Sequence, residues 1–208
     1  MKSAAASILP DLPTWQLSDL AGRLVELSGQ QSTAHLTAAF GLVLEAQLCG
    51  DRAAWVTFDQ SAFFPPDVAA GGVDVESLPV VRIATARAAG RAAEHLVRSG
   101  GFGLVVIDLS SAAGNAYAHT PPAVLPLPLL TRLLGLARTH QAAVLILTRK
   151  SPDTSSINSL ISLRAEAQWS AQKGDSGRYD VRVRVIKDKR RAPGWDHVEA
   201  CRGSVGMR

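Results

Sequence analysis

The sequence has few cysteines and no arrangement of residues typical of a metal site. Its two cysteines, Cys49 and Cys201, lie far apart in a chain of 208 residues, without a CxxC motif or the Cys/His spacing of a zinc site. This argues against a disulfide framework, and we expect both thiols to be reduced and structural. No bound metal is predicted.

Long hydrophobic runs and a targeting segment are also missing. The most apolar stretch, residues 123–137, is interrupted by Pro126, Pro128 and Arg132, and it is too short to span a bilayer. The N-terminal MKSAAASILPDLPTWQL is too weak for a signal peptide. We therefore expect a cytoplasmic protein without membrane contact.

The chain carries no large excess of charge of one sign. Its net charge is +4 and its pI is about 9.4, which permits contact with nucleic acid or an acidic partner but does not demand it. Residues 178–191 include seven Lys or Arg and two Asp. The basic residues are thus predicted to concentrate near the C-terminus.

The hydrophobic pattern predicts one α/β domain, because strands and helices alternate along most of the chain. Strands are expected at 23–27, 53–58, 79–84, 103–108 and 143–148, and helices at 33–48, 86–98 and 127–140. Residues 65–66 are expected in a loop.

The last third of the chain changes character, because 163–171 and 179–186 alternate around the turn GDSG at 174–177. We expect a mainly parallel sheet flanked by helices, followed by a C-terminal β-hairpin. The predicted divisions are a leader or short helix at 1–22, a core domain at 23–194 and a tail without clear motif at 195–208.

A series of short motifs in one order resembles the RecA-type recombinase fold. They run from LVELSG through a strand ending near Asp59, then GVDVESL, RAAEHLVRSG, GLVVID and AVLILTRK, to VRVIKDKRRAPG. The resemblance extends from about Leu24 to Gly194, and the last motif is the most specific of the series. It implies a RecA-like α/β fold.

In that family the first strand is followed by the phosphate loop GxxxxGK[ST], whose Lys neutralises phosphate and whose hydroxyl binds magnesium. Here the segment reads ELSGQQSTAHLTAAF. Gly29 matches the first glycine, but Ala34, His35 and Leu36 replace the second glycine, the lysine and the hydroxyl residue. We therefore expect no nucleotide cofactor and no ATPase activity.

The resemblance assigns other nucleotide-site positions to strand ends. Asp108 matches the magnesium-associated acid, Asp59 lies near the water-activating glutamate and is one methylene shorter, and Arg149 lies beside the position of a phosphate-sensing glutamine. A structural role as a cap or turn residue remains open for all three.

A short RecA-like chain without a working phosphate loop is similar to the ImuA proteins (inducible mutagenesis protein A) and to SulA-like division inhibitors. The resemblance implies an accessory role in the bacterial DNA-damage (SOS) response, in error-prone translesion synthesis. The implied partners are an inactive Y-family polymerase homologue, ImuB, and an error-prone replicative-type polymerase, with RecA as a further candidate. A DNA-binding module, a divergent ATPase and a division inhibitor are the alternative functions.

The basic C-terminal segment is the predicted contact surface for a partner or single-stranded DNA. Its candidate residues are Arg182, Arg184, Lys187, Lys189, Arg190 and Arg191, with Trp195 as a stacking residue. A solvated strand face is the alternative. Residues 150–159 lie where recombinases place a DNA-contacting loop, but a cap or a disordered connector explains them equally well. The Pro-rich residues 119–130 are interpreted as structural.

Overall fold

The computed structural model of the chain describes residues 14–30, 34–59, 61, 63–110, 125–171 and 178–202. Part of the predicted leader, the GDSG turn and residues 119–124 of the Pro-rich segment lie outside this range. None of the described helices is long and apolar enough to cross a membrane.

The helices and strands alternate along the chain, as the hydrophobic pattern predicts. In chain order they are α1 (Leu17–Leu20), β1 (Leu24–Ser28), α2 (Ala34–Leu48), β2 (Ala53–Phe58), α3 (Pro65–Ala70), β3 (Val80–Ile83), α4 (Ala86–Arg98), β4 (Leu104–Asp108), α5 (Leu127–His140), β5 (Ala143–Thr148), β6 (Leu163–Ala171), β7 (Arg178–Asp188) and β8 (Asp196–Arg202). The predicted bounds of β2, α4, α5, β5 and β6 match the structure residue by residue.

One eight-stranded sheet, in the order β3-β2-β4-β5-β1-β6-β7-β8, forms the centre of the fold. Strands β1 to β6 pair in parallel, whereas β7 and β8 are antiparallel additions. Parallel strands require crossover connections, and helices α2 to α5 lie in the four connections from β1 to β5. The predicted α/β sheet with a C-terminal hairpin is confirmed.

Two elements differ from the sequence prediction. Pro65 begins helix α3 instead of lying in a loop, because proline is well suited to the first turn of a helix. Residues 196–202, predicted as a tail without motif, form the edge strand β8 and pair with β7. The sheet therefore continues past the predicted domain boundary at 194. The segment DHVEACR has only scattered apolar residues, since an edge strand buries little surface.

The two faces of the sheet bury separate hydrophobic cores. Helix α2 covers one face, where Phe40 stacks on the fully buried Trp55 with ring centroids 4.3 Å apart. Helices α4 and α5 cover the other face. They approach closely at Gly90, where an added Cβ would lie 2.9 Å from Leu129 Cδ1. Trp15, before α1, is 5% exposed and belongs to the core on the α2 side of the sheet.

A buried ion pair joins the first strand to the antiparallel part of the sheet. The Arg23 guanidinium lies 2.5 Å from the Asp188 carboxylate, and the two side chains are 3% and 1% exposed. Arg23 also donates from Nε to Ser162 Oγ at 2.9 Å and from Nη2 to the Ser162 carbonyl at 3.0 Å. These bonds offset part of the cost of removing the charges from water.

We expect Arg23→Met to lower the free energy of unfolding by about 3 kcal/mol or more, because it leaves the Asp188 carboxylate buried without its counter-charge. Urea denaturation followed by circular dichroism measures the change. The matched control is Arg182→Met, since Arg182 is 59% exposed and lies 3.9 Å from Asp196. It should change stability by no more than about 0.5 kcal/mol. Equal effects of the two substitutions would contradict a structural role for the buried pair.

Candidate nucleotide site

The connection from β1 to α2 lies where the phosphate-binding loop is predicted. Gly29 follows β1, and its N–H donates to the Thr148 carbonyl at 3.1 Å, so the connection begins against β5. Residues 31–33 lie outside the described part of the chain. The strand and helix that a phosphate loop requires are therefore both present.

The first turn of α2 holds the three residues that replace the phosphate-binding ones. Ala34 and His35 are each only 2% exposed, and Leu36 packs against the hydrophobic core. A lysine at the second of these positions would carry a flexible cation, whereas His35 is a short side chain held inside the fold. The helix start thus presents a methyl group, a buried imidazole and an apolar side chain.

The acid at the end of β4 is engaged by its neighbours. Asp108 is 2% exposed and accepts hydrogen bonds from Thr57 Oγ1 at 3.2 Å, Ser110 N at 3.0 Å and Ser110 Oγ at 2.5 Å. Asp59 lies at the end of the adjacent strand β2 and is exposed, and its carbonyl accepts from Arg82 at 3.0 Å. The structure therefore brings both acids to neighbouring strand ends, with Asp108 in a turn-capping arrangement.

No group of three or more potential metal ligands occurs among the residues that the structure describes. Arg149, beside the phosphate-sensing position, is exposed at the end of β5. No described side chain is thus assigned to a nucleotide or a metal by geometry alone.

The most polar part of this sheet edge is centred on Glu26, a residue that the sequence motifs did not single out. Glu26 is fully buried within β1, and its carboxylate lies 2.5 Å from Lys150 Nζ. It also accepts from Thr148 Oγ1 and from the Ile157 N–H, each at 3.0 Å. The available signal was a charged residue within the otherwise apolar strand LVELS, because a buried charge requires partners.

The Glu26 contacts hold residues 150–159, the loop that lies where recombinases place a DNA-contacting loop. Lys150 Nζ donates to the Ser155 carbonyl at 2.7 Å, and Arg164 Nη2 donates to the Ser151 carbonyl at 2.8 Å. Burial lowers the pKa of Lys150, although the nearby Glu26 carboxylate opposes that shift. The one lysine of residues 150–159 is therefore used inside the fold.

The predicted basic contact surface divides into a strand part and a turn part. Arg182 and Arg184 are exposed on β7, on the sheet face opposite α2, and Arg182 faces Asp196. Lys187, at the end of the same strand, is half-buried. Burial and then the charge of Lys189 lower the pKa of Lys187. The strand part thus keeps two exposed arginines.

The basic side chains of the turn after β7 bond to other parts of the chain, and all three residues remain exposed. Lys189 Nζ donates to the Ser159 carbonyl at 2.5 Å. Arg190 Nη2 donates to the Ala21 carbonyl at 3.2 Å, and Arg191 pairs with Asp19 at 2.9 Å. These bonds tie the turn to the N-terminal part of the chain and to the 150–159 loop.

Trp195, the predicted stacking residue, is half-buried and packs against the core on the α2 side of the sheet. The strand arginines point to the opposite face. The sheet therefore separates the aromatic ring from Arg182 and Arg184, and these groups do not form one surface.

Comparison with known proteins agrees with this geometry. The profile of the RecA N-terminal domain family matches residues 18–119, which run from α1 past β4. The fold is RecA-like. The match includes the β1–α2 connection, so the altered residues Ala34, His35 and Leu36 lie within a recognisable RecA-like framework.

Several bacterial RecA proteins are similar over part of the chain. Protein RecA of Clostridium acetobutylicum is 38% identical over 87 residues, which are 42% of this chain and 25% of that protein. Protein RecA of Kineococcus radiotolerans is 39% identical over 88 residues, with the same coverage of both chains. The chain thus matches about a quarter of the length of these RecA relatives.

We expect Glu26→Gln to lower the free energy of unfolding by about 3 kcal/mol, because it leaves the Lys150 ammonium partly buried without a counter-charge. Urea denaturation measures the loss. Adding Lys150→Met should recover part of it, since the second change removes the unpaired charge.

The matched control is Glu76→Gln, which changes an exposed carboxylate and should shift stability by no more than about 0.5 kcal/mol. If Glu26→Gln were as mild as this control, the loop would not depend on the buried carboxylate.

Proposed function

We propose that this chain is a non-catalytic, cytoplasmic RecA-like accessory protein of the bacterial DNA-damage response. It supports error-prone translesion synthesis through contacts with an ImuB-type inactive polymerase homologue, with an error-prone replicative-type polymerase and with RecA. The observation that carries this proposal is that β1 and α2 flank the predicted phosphate loop, while Ala34, His35 and Leu36 stand at its phosphate-binding positions.

The chemistry of the replaced residues supports a non-catalytic role. A triphosphate needs cationic and N–H donors to offset its desolvation, and its magnesium ion needs an oxygen ligand. Ala34 and Leu36 supply neither, and His35 is buried. A hydrogen bond to a charged group contributes about 1.5–3 kcal/mol, so losing two such contacts reduces affinity by several powers of ten.

The neighbouring polar side chains already have bonding partners within the protein, which supports the same proposal. Asp108 is capped by Thr57 and Ser110, and Lys150 is paired with Glu26. These side chains stabilise strand ends and a loop. Retention of the fold then preserves surfaces for binding other proteins, whereas the nucleotide chemistry is no longer required.

The nucleotide prediction is tested by thermal and chemical denaturation with magnesium and saturating ATP. We expect no stabilisation, because Ala34, His35 and Leu36 do not supply the phosphate-binding groups. A ligand at one hundred times its dissociation constant would stabilise the chain by about 2.7 kcal/mol. Protein RecA of Clostridium acetobutylicum in the same buffer is the positive control. ATP turnover that Asp108→Asn abolishes would overturn the non-catalytic proposal.

The partner prediction is tested with a purified ImuB-type protein in a binding titration. The double variant Arg182→Glu, Arg184→Glu should weaken binding about tenfold or more, since it reverses the charge of the exposed strand face. The matched control, Arg87→Glu with Arg91→Glu, makes the same charge change on helix α4, outside the predicted contact residues, and should bind normally. No measurable complex with the unchanged chain would contradict the proposed partnership.

A further inference from the structure

A stripe of arginines lies on the outer surface of α4, away from the predicted contact residues. Arg87, Arg91, Glu94 and Arg98 follow one another at spacings of four, three and four residues, which places them on one side of the helix. Arg132 reaches the same stripe from α5 through a 3.1 Å contact with Glu94. We call Arg87, Arg91, Arg98 and Arg132 the arginine face.

The only carboxylate of this stripe is neutralised by two of its arginines. Glu94 Oε1 lies 2.5 Å from Arg98 Nη2 and 3.1 Å from Arg132 Nε. Burial raises the pKa of Glu94, but the bonds and charges of Arg98 and Arg132 outweigh that effect and hold its pKa below the ordinary value. Arg98 and Arg132 remain 52% and 53% exposed, so they still face solvent.

Arg87 and Arg91 are exposed, and neither forms a salt bridge with the described residues. Helix α4 carries three arginines and one glutamate, and α5 carries two arginines and no acid. The two helices together therefore carry four more arginines than acidic residues.

The placement of the first two arginines opposes helix stability. Arg87 lies in the first turn of α4, which contains no acidic residue, and a cation there opposes the helix dipole. Arg87 and Arg91 are also like charges four residues apart, which is an unfavourable spacing on a helix. A surface selected only for solubility or stability would alternate charges of opposite sign. The arrangement therefore indicates binding of an external anion.

The composition of the face favours phosphate over an acidic protein surface. All its cations are arginines, whose planar guanidinium binds phosphate through two parallel hydrogen bonds. Protein interfaces generally need buried apolar or aromatic anchors, and the stripe contains none. Its lack of aromatic side chains also removes the stacking on which single-strand binding depends.

We propose that the arginine face binds the phosphate backbone of double-stranded DNA without reading its sequence. Helix α4 is about 20 Å long, and a duplex carries one charge per about 1.7 Å of its axis, so several phosphates lie within reach of the stripe. This inference does not rest on the proposed partners, because a DNA contact on α4 is independent of contacts made by β7.

The test measures binding of a short labelled duplex of arbitrary sequence by fluorescence anisotropy over a series of salt concentrations. The variant is Arg87→Gln with Arg91→Gln, because glutamine keeps the helix propensity of arginine and neither side chain has an ion pair with the described residues. The matched control is Arg52→Gln with Arg138→Gln, which removes the same charge from two exposed arginines outside every predicted contact surface. Thermal melts verify that both variants fold.

We expect the unchanged chain to bind the duplex, and the Arg87/Arg91 variant to reduce the slope of log K against log salt by about 1.8, which is 0.9 for each lost phosphate contact. The affinity at low salt should fall at least tenfold, whereas the Arg52/Arg138 variant should retain both values. A single strand of the same sequence should bind more weakly than the duplex.

Four results would overturn the proposal. They are no duplex binding by the unchanged chain, an unchanged slope in the Arg87/Arg91 variant, an equal loss in the control variant, and a single strand that binds more tightly than the duplex. Poly-glutamate that competes as strongly as DNA would also overturn it and would assign the arginine face to an acidic protein. The ATP stabilisation assay and the titration with an ImuB-type protein, which test the proposed function, do not depend on any of these outcomes.

Discussion

The buried ion pair between Arg23 and Asp188 is the contact on which the arrangement of the two sheet halves depends. It joins the start of β1 to the end of β7, across β6. Removing either partner leaves the other charge unpaired in a site without water. Such pairs are therefore costly to break even when they contribute little net stability. Because Asp188 is held there, the following turn lies against the N-terminal part of the chain. Its basic residues, Lys189, Arg190 and Arg191, then bond to that surface.

The same principle explains how polar groups are satisfied at the sheet edge where the nucleotide site is predicted. The strands are held by apolar packing on both faces, whereas Glu26 and Asp108 satisfy polar groups at the strand ends. Neither task requires a phosphate. Substituting the glycine, lysine and hydroxyl residues of a phosphate loop therefore removes binding energy for a ligand while leaving the fold intact. The RecA-like framework and the altered loop are compatible for this reason.

The distribution of charge follows from tertiary contacts that a count along the chain does not reveal. Residues 178–191 are the most basic stretch of the sequence, yet most of the turn that ends it is bonded internally. The arginines of α4 are fewer and more widely spaced. They remain exposed because the helix turns them outward together, and their one acidic neighbour is already paired. The surface electrostatics thus depend on which charged side chains form ion pairs and hydrogen bonds within the folded chain.

The sequence by itself determined the order of strands and helices, because buried parallel strands such as AVLILT and amphipathic helices such as α4 leave strong hydrophobic patterns. The prediction that Ala34, His35 and Leu36 stand at phosphate-binding positions also comes from the sequence, since it depends on one local motif. Strand β8 and the Glu26–Lys150 pair were decided only by the tertiary structure. An edge strand buries too little surface to leave a pattern. A long-range ion pair depends on which strands become neighbours, and no local spacing records that choice.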